Sequence, residues 1–101
     1  MPLDLFSPYG VTTAVSVSGT TAAGTLTMPA APMTSSVRVY NSATVTVFIK
    51  FGVAGITATT SDMPIPTGGV ETFEVGPNIT TIAAITAGTA GTLYATPGRG
   101  A

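Results

Sequence analysis

Residues 36–51 read Ser-Val-Arg-Val-Tyr-Asn-Ser-Ala-Thr-Val-Thr-Val-Phe-Ile-Lys-Phe, and two runs of alternation within them decide the fold class. Val37 and Val39 alternate with Arg38 and Tyr40. Val45, Val47, Ile49 and Phe51 alternate with Thr44, Thr46, Phe48 and Lys50. A period of two belongs to a strand with one face on a core. The β-branched residues that fill both runs fit a pleated surface better than a helix. The polar break between the runs predicts a hairpin. A two-residue turn at Asn41-Ser42 would set Val39 against Thr44. A three-residue loop, Asn41-Ser42-Ala43, sets Val39 against Val45 and Val37 against Val47, so the odd loop is expected; a five-residue loop gives the same register.

Working outward, the signal stays β. Residues 11–18 read as a strand with Val11, Val15 and Val17 on one face, and residues 24–28 as a short second strand. Pro29 and Pro32 bracket a loop. Gly52 and Gly55 end the second half of the hairpin, and residues 56–60 form a weak strand. Residues 62–66 carry Pro64 and Pro66, which remove ladder donors and exclude a central strand. Thr67-Gly68-Gly69 is a turn. Residues 70–75 place Phe73 and Val75 inward and Thr72 and Glu74 outward. Gly76-Pro77-Asn78 is a further turn. Residues 79–86 carry Ile79 and Ile85 on one side and Ile82 on the other, which predicts a strand covered on both faces or interrupted by a bulge. Residues 93–96 are the last strand.

No helical apolar stripe and no repeat of fixed period is present. The expected fold is all-β: a single β-sandwich or jelly-roll-like barrel of about eight short strands. The organisation is an extended N-terminal arm, 1–10, and a β-sandwich domain, 11–101. Val15, Val17, Leu26, Val37, Val39, Val45, Val47, Ile49, Phe73, Val75, Ile82 and Leu93 are the expected core. In the arm, Pro2 and Pro8 flank Leu3, Leu5 and Phe6, with Tyr9 just beyond. It either docks on a neighbour or tucks onto its own core as an irregular first strand.

The composition narrows the chemistry. The chain has 101 residues, enough for one domain. Charged residues are 7% of it, against about 25% in an ordinary soluble domain. Cys, His and Trp are absent, which removes disulfides, thiolate chemistry and the imidazole base. Three Lys and Arg residues cannot build a nucleic-acid stripe, and the net charge is −1. A mean hydropathy of +0.53 argues against disorder. No apolar run is long enough for a membrane span, and the first ten residues lack the pattern of a secretory signal. Lys50 sits on the polar side of its alternation, so a Ser–Lys pair is not expected. Glu71 and Glu74 are an odd step apart and point to opposite faces. Gly52-Val53-Ala54-Gly55 lacks the Lys and helix of a phosphate loop. No catalytic, cofactor-binding or metal-ligating residue is therefore expected, and no cofactor. Sparse charge instead suits a subunit covered by neighbours, a homo-oligomer. The candidate partner-binding residues are Leu3, Leu5, Phe6, Tyr9, Tyr40 and Phe48.

The runs RVYNSATVTVFIKFG (38–52), TSDMPIPTGGVETFEV (60–75) and ITTIAAITAGTAGTLYATPGRG (79–100) resemble small proteins encoded among the virion genes of tailed bacteriophages. The shared features are the Asp-Met-Pro-Ile-Pro turn at 62–66, Glu-x-Phe at 71–73, Ile-Ala-x-Ile at 82–85 and Leu-Tyr-x-Thr-Pro-Gly at 93–98. They cover about the last two-thirds of the chain. The resemblance implies a structural protein that decorates or cements a capsid, commonly as a trimer. Its partner would be the major capsid protein, and its place the capsid surface of a virion after synthesis in the host cytoplasm. Neither nucleic acid nor membrane is expected as a partner. A tail- or fibre-associated β-domain that binds host-surface glycan, or another virion protein, is the alternative.

Overall fold

The computed structural model describes residues 7–8, 11–26, 35–76 and 78–99. These form nine strands: β1 (Ser7–Pro8), β2 (Thr13–Val17), β3 (Ala22–Thr25), β4 (Ser35–Asn41), β5 (Val47–Gly52), β6 (Met63–Ile65), β7 (Val70–Val75), β8 (Thr81–Ile85) and β9 (Gly91–Arg99). One sheet has the order β1-β9-β4-β7, with β2 also on β9. The other has the order β3-β8-β5-β6, and every pairing is antiparallel. The protein is an all-β sandwich.

The register explains how the chain reaches this arrangement. Ser7 pairs with Arg99, Val15 with Leu93, Ala23 with Ala83, Val37 with Phe73 and Phe48 with Pro64. Each of these pairs is centred on a residue between Val53 and Ile56. The chain is thus one long hairpin, folded in half at the loop that holds Gly55 (φ +97°) and then rolled on itself. Each step from β2 to β9 crosses to the other sheet except that from β5 to β6. Eight strands, β2 to β9, in the orders β2-β9-β4-β7 and β3-β8-β5-β6 are the jelly-roll arrangement.

The core lies between the sheets: Val15, Val17, Leu26, Val37, Val39, Val47, Ile49, Ile65, Val75, Ile82 and Leu93 are buried. Of the expected core, Val45 and Phe73 are half-buried instead. Val45 sits in a corner between sheets, and Phe73 on the edge strand β7, where it meets Phe51 with ring centroids 5.4 Å apart. β8 is covered on both faces, the first of the two alternatives its sequence left open. Ile82 and Ala84 face the core, and Ala83 is fully buried on the other face between Ala23 and Lys50.

The expected hairpin over residues 36–51 does not form. β4 and β5 lie in different sheets: Val37 faces Phe73 and Pro97, and Val47 faces Ile65. The inward faces are as expected, because both runs turn their valines to the same core. The pairing differs, because facing strands of a sandwich and paired strands of a hairpin share one period. The corner is made by Asn41, fully buried. Its Nδ2 donates to the carbonyls of Val45 and Ile65, each at 2.9 Å, and its Oδ1 accepts from Ala43 N–H at 2.8 Å. Its own backbone bonds to the turn before β7 through Gly69 O and Gly68 N. Thr67 Oγ1 donates to the carbonyl of Ala43 and closes the same corner.

Other corrections have equally local causes. Val11 is 78% exposed, because the β2–β9 ladder stops at Thr13 and Ala95. The next ladder donor on that side of β9 would come from Pro97, which has no N–H. β9 resumes with β1 at Gly98, offset by two residues. The second strand, β3, starts two residues earlier than expected and runs Ala22–Thr25; residues 27 and 28 of the expected strand lie outside the described residues. β3 closes on β2 at Gly24, where a Cβ would lie 2.6 Å from Thr13 Cγ2 and 2.9 Å from Val15 Cγ2. Residues 56–60 form no strand; Ala58 is buried there with its N–H on Thr21 Oγ1 at 2.8 Å. The proline-bearing segment supplies β6, an edge strand, as its missing donors require.

Candidate interaction surface

The outer face of the β1-β9-β4-β7 sheet carries one apolar row in a field of hydroxyls. Register sets Val70, Tyr40, Tyr94 and Ala14 side by side across four strands. Val70 is 52% exposed, Tyr40 42% and Tyr94 38%. The two tyrosine rings are nearly parallel, 13° apart, with centroids at 6.2 Å. This is the offset geometry that aromatic pairs prefer. The next row is polar: Thr72, Arg38 and Thr96, with Thr12 beyond. Arg38 Nε donates to Thr72 Oγ1 at 3.5 Å, and the hydroxyls of Thr12 and Thr96 are 2.8 Å apart. The surface therefore offers aromatic contact area beside one guanidinium and a band of hydroxyls.

The expected site residues are not gathered in one place. Leu3, Leu5, Phe6 and Tyr9 lie outside the described residues. Tyr40 is in the apolar row. Phe48 is half-buried on the outer face of the opposite sheet, between Pro64 and Ile85. Tyr40 and Phe48 therefore cannot serve one contact. What the sequence reading missed is the company Tyr40 keeps. Val70 and Tyr94 are apolar residues at outward positions of their strands, and that mismatch was the available signal. Ser7 and Pro8 pair with the chain's own β9, so this part of the arm belongs to its own sheet.

No protein-family model, curated protein or solved structure matches the chain.

Other polar side chains shape the turns. Asp62 accepts from Thr59 N–H at 2.7 Å and closes the turn before β6. Thr86 Oγ1 donates to Thr89 O at 2.7 Å and accepts from Gly88 N–H at 3.1 Å, which shapes the turn into β9. Among the described residues every buried side-chain polar atom has a hydrogen-bond partner. Among the same residues no group of three or more acids is gathered as a metal site. Lys50 is exposed on the outer face of β5, and Glu71 and Glu74 occupy alternate-parity positions of β7.

Proposed function

We propose that this chain is a structural virion protein that decorates or cements a bacteriophage capsid through protein–protein contacts, without catalysis. The partner is the major capsid protein, and the subunit works as a homo-oligomer, in keeping with the trimers that the sequence resemblance implies. The observation that carries the reading is the exposed Val70–Tyr40–Tyr94 row on a small, sparsely charged chain. Tyrosines are enriched where protein surfaces meet, because they supply rigid contact area and a polar end at little entropic cost. A shell is held by many such contacts, each weak, repeated over its surface. Jelly rolls occur among viral capsid domains, and equally among lectins, so the fold alone does not choose.

The near-parallel tyrosine pair also favours the second reading, a tail or fibre domain that stacks sugar rings on Tyr40 and Tyr94. One variant serves to separate the two. Tyr40→Ser with Tyr94→Ser removes the exposed rings and leaves the core intact. Its co-sedimentation with shells lacking the protein is expected to fall at least tenfold, while the wild-type chain gives no response to host-surface glycans. Undiminished shell binding would contradict the reading; glycan binding lost on the same substitution would replace it.

A further inference from the structure

Strand β7, Val-Glu-Thr-Phe-Glu-Val, ends its sheet: among the described residues its one neighbour is β4. Asn41 N–H donates to Gly69 O in the register of the β4–β7 ladder. Along an antiparallel strand, bonded and open positions alternate. Glu71, Phe73 and Val75 therefore spend their backbone groups on β4, and those of Val70, Thr72 and Glu74 point to the open edge. Val70, Glu71 and Glu74 are exposed along it. The edge strand β6 of the other sheet is blunted by Pro64, whereas β7 contains no proline.

We infer that β7 pairs with β7 of a second copy of this chain, antiparallel and about a two-fold axis at Phe73. Phe73 then lies opposite its own counterpart, Thr72 opposite Glu74 and Glu71 opposite Val75. Thr72 and Glu74 exchange main-chain hydrogen bonds across the contact, because both turn N–H and C=O to the open edge.

Charge selects this register. Hydrogen bonding requires the axis to pass through a residue, so that open positions meet open positions. An axis at Glu71 or at Glu74 brings two glutamates face to face, a like-charge pair that opposes pairing. Arg38 Nε donates to Thr72 Oγ1 at 3.5 Å, so the guanidinium leans from β4 over β7 toward the edge. An axis at Thr72 sets the two Arg38 side chains leaning toward each other across the paired threonines, again like against like. The axis at Phe73 instead continues the row from Arg38 and Thr72 to Glu74 of the second copy. Arg38 and that glutamate are two strand steps apart, about 10 Å between backbones, a gap that two long side chains of opposite charge close. The pair occurs on both sides of the axis.

On the inner face the two Phe73 rings meet at a non-hydrogen-bonded pair, where side chains come closest. Phe73 is half-buried and already lies against Phe51 at 5.4 Å, so the rings of both copies form one aromatic band. The contact is isologous and makes pairs; threes built through another face would be joined by it. Both tyrosine rows then lie on one face of a continuous sheet. The inference goes beyond the shell reading and is tested without a shell, so either can fail alone.

The chain has no cysteine, so single cysteines report where the axis lies. At Phe73 the two Cα atoms are about 4.5 Å apart, within disulfide range. Under mild oxidation Phe73→Cys is expected to run as a disulfide-linked dimer on a non-reducing gel. Glu71→Cys, Thr72→Cys and Glu74→Cys are expected to run as monomers. In sedimentation the wild-type chain is expected to show a reversible association step in the micromolar range, as suits a small contact. Thr72→Pro removes an N–H from the open edge and none from the β4 ladder, and Arg38→Glu puts like charge beside Glu74. Each is expected to keep the β circular-dichroism spectrum and weaken that step at least tenfold, and Arg38→Glu with Glu74→Arg to restore it. These readouts stand whether or not Phe73→Cys folds. A wild-type chain without the step overturns the inference, as does a step that survives Thr72→Pro. Cross-linking at 71, 72 or 74 in place of 73, or a folded charge swap that restores nothing, overturns it too.

Discussion

Replacing Asn41 by Leu is expected to cost about 3–5 kcal/mol of folding stability, although the side chains have similar size. Asn41 is buried, and its amide satisfies Ala43 N–H, Val45 O and Ile65 O. Leu leaves all three backbone groups buried without that partner. An unmade buried bond costs about 1–3 kcal/mol, partly relieved where the corner relaxes. In a domain whose total stability is about 5–15 kcal/mol, that is enough to populate the unfolded chain at growth temperature. Each kcal/mol lowers the thermal midpoint by about 4–8 °C. Asn41→Asp keeps the acceptor for Ala43 N–H but removes both donors. It is expected to destabilise too, less so at acid pH, where a protonated carboxyl supplies one donor. Denaturant melts of the two variants across pH check both statements, and a neutral Leu variant would remove Asn41 from its role at the corner.

The second large effect is expected at Ile82. It is fully buried in β8, in register with Gly24 on one side and Phe51 on the other. Ile82→Ala is expected to lose about 2–5 kcal/mol, the transfer term plus the cavity left behind. Gly24 brings no side chain to fill that cavity, which places the loss toward the upper end. Ile85, on the opposite face of the same strand and half-buried, is the internal control. Ile85→Ala is expected to cost about 1 kcal/mol by lost burial. Equal losses at the two positions, read from urea midpoints at unchanged slope, would mean that the inward face of β8 is assigned wrongly.

Which residues point inward was legible in the sequence because period two reports a face directly. Val37, Val39, Val47 and Ile49 are buried as their alternation requires. Partners were not legible from the same signal. Val37 meets Phe73 and Pro97, far away along the chain, and no short window carries that information. The rolled hairpin is visible only once the β1–β9, β2–β9, β3–β8, β4–β7 and β5–β6 pairings are seen to share one centre near Val53–Ile56. Asn41 read as a turn residue, since a buried amide that bonds three backbone groups and a solvated loop amide look alike in sequence. The surface was half legible. Tyr40 stood out as a large aromatic residue at an outward position, but Val70 and Tyr94 become its neighbours through pairings that only the fold supplies. Phe48 carries the same outward signal and proves half-buried on the other sheet.

The most direct measurement for the shell reading is the number of copies of this chain in purified particles from an infection that produces it, set against the major capsid protein by quantitative mass spectrometry. A subunit that cements a shell repeats with the shell, so hundreds of copies per particle are predicted, at a simple ratio to the capsid protein. A dozen copies or fewer would place the chain on a tail or fibre, and absence from the particle would contradict the structural role altogether.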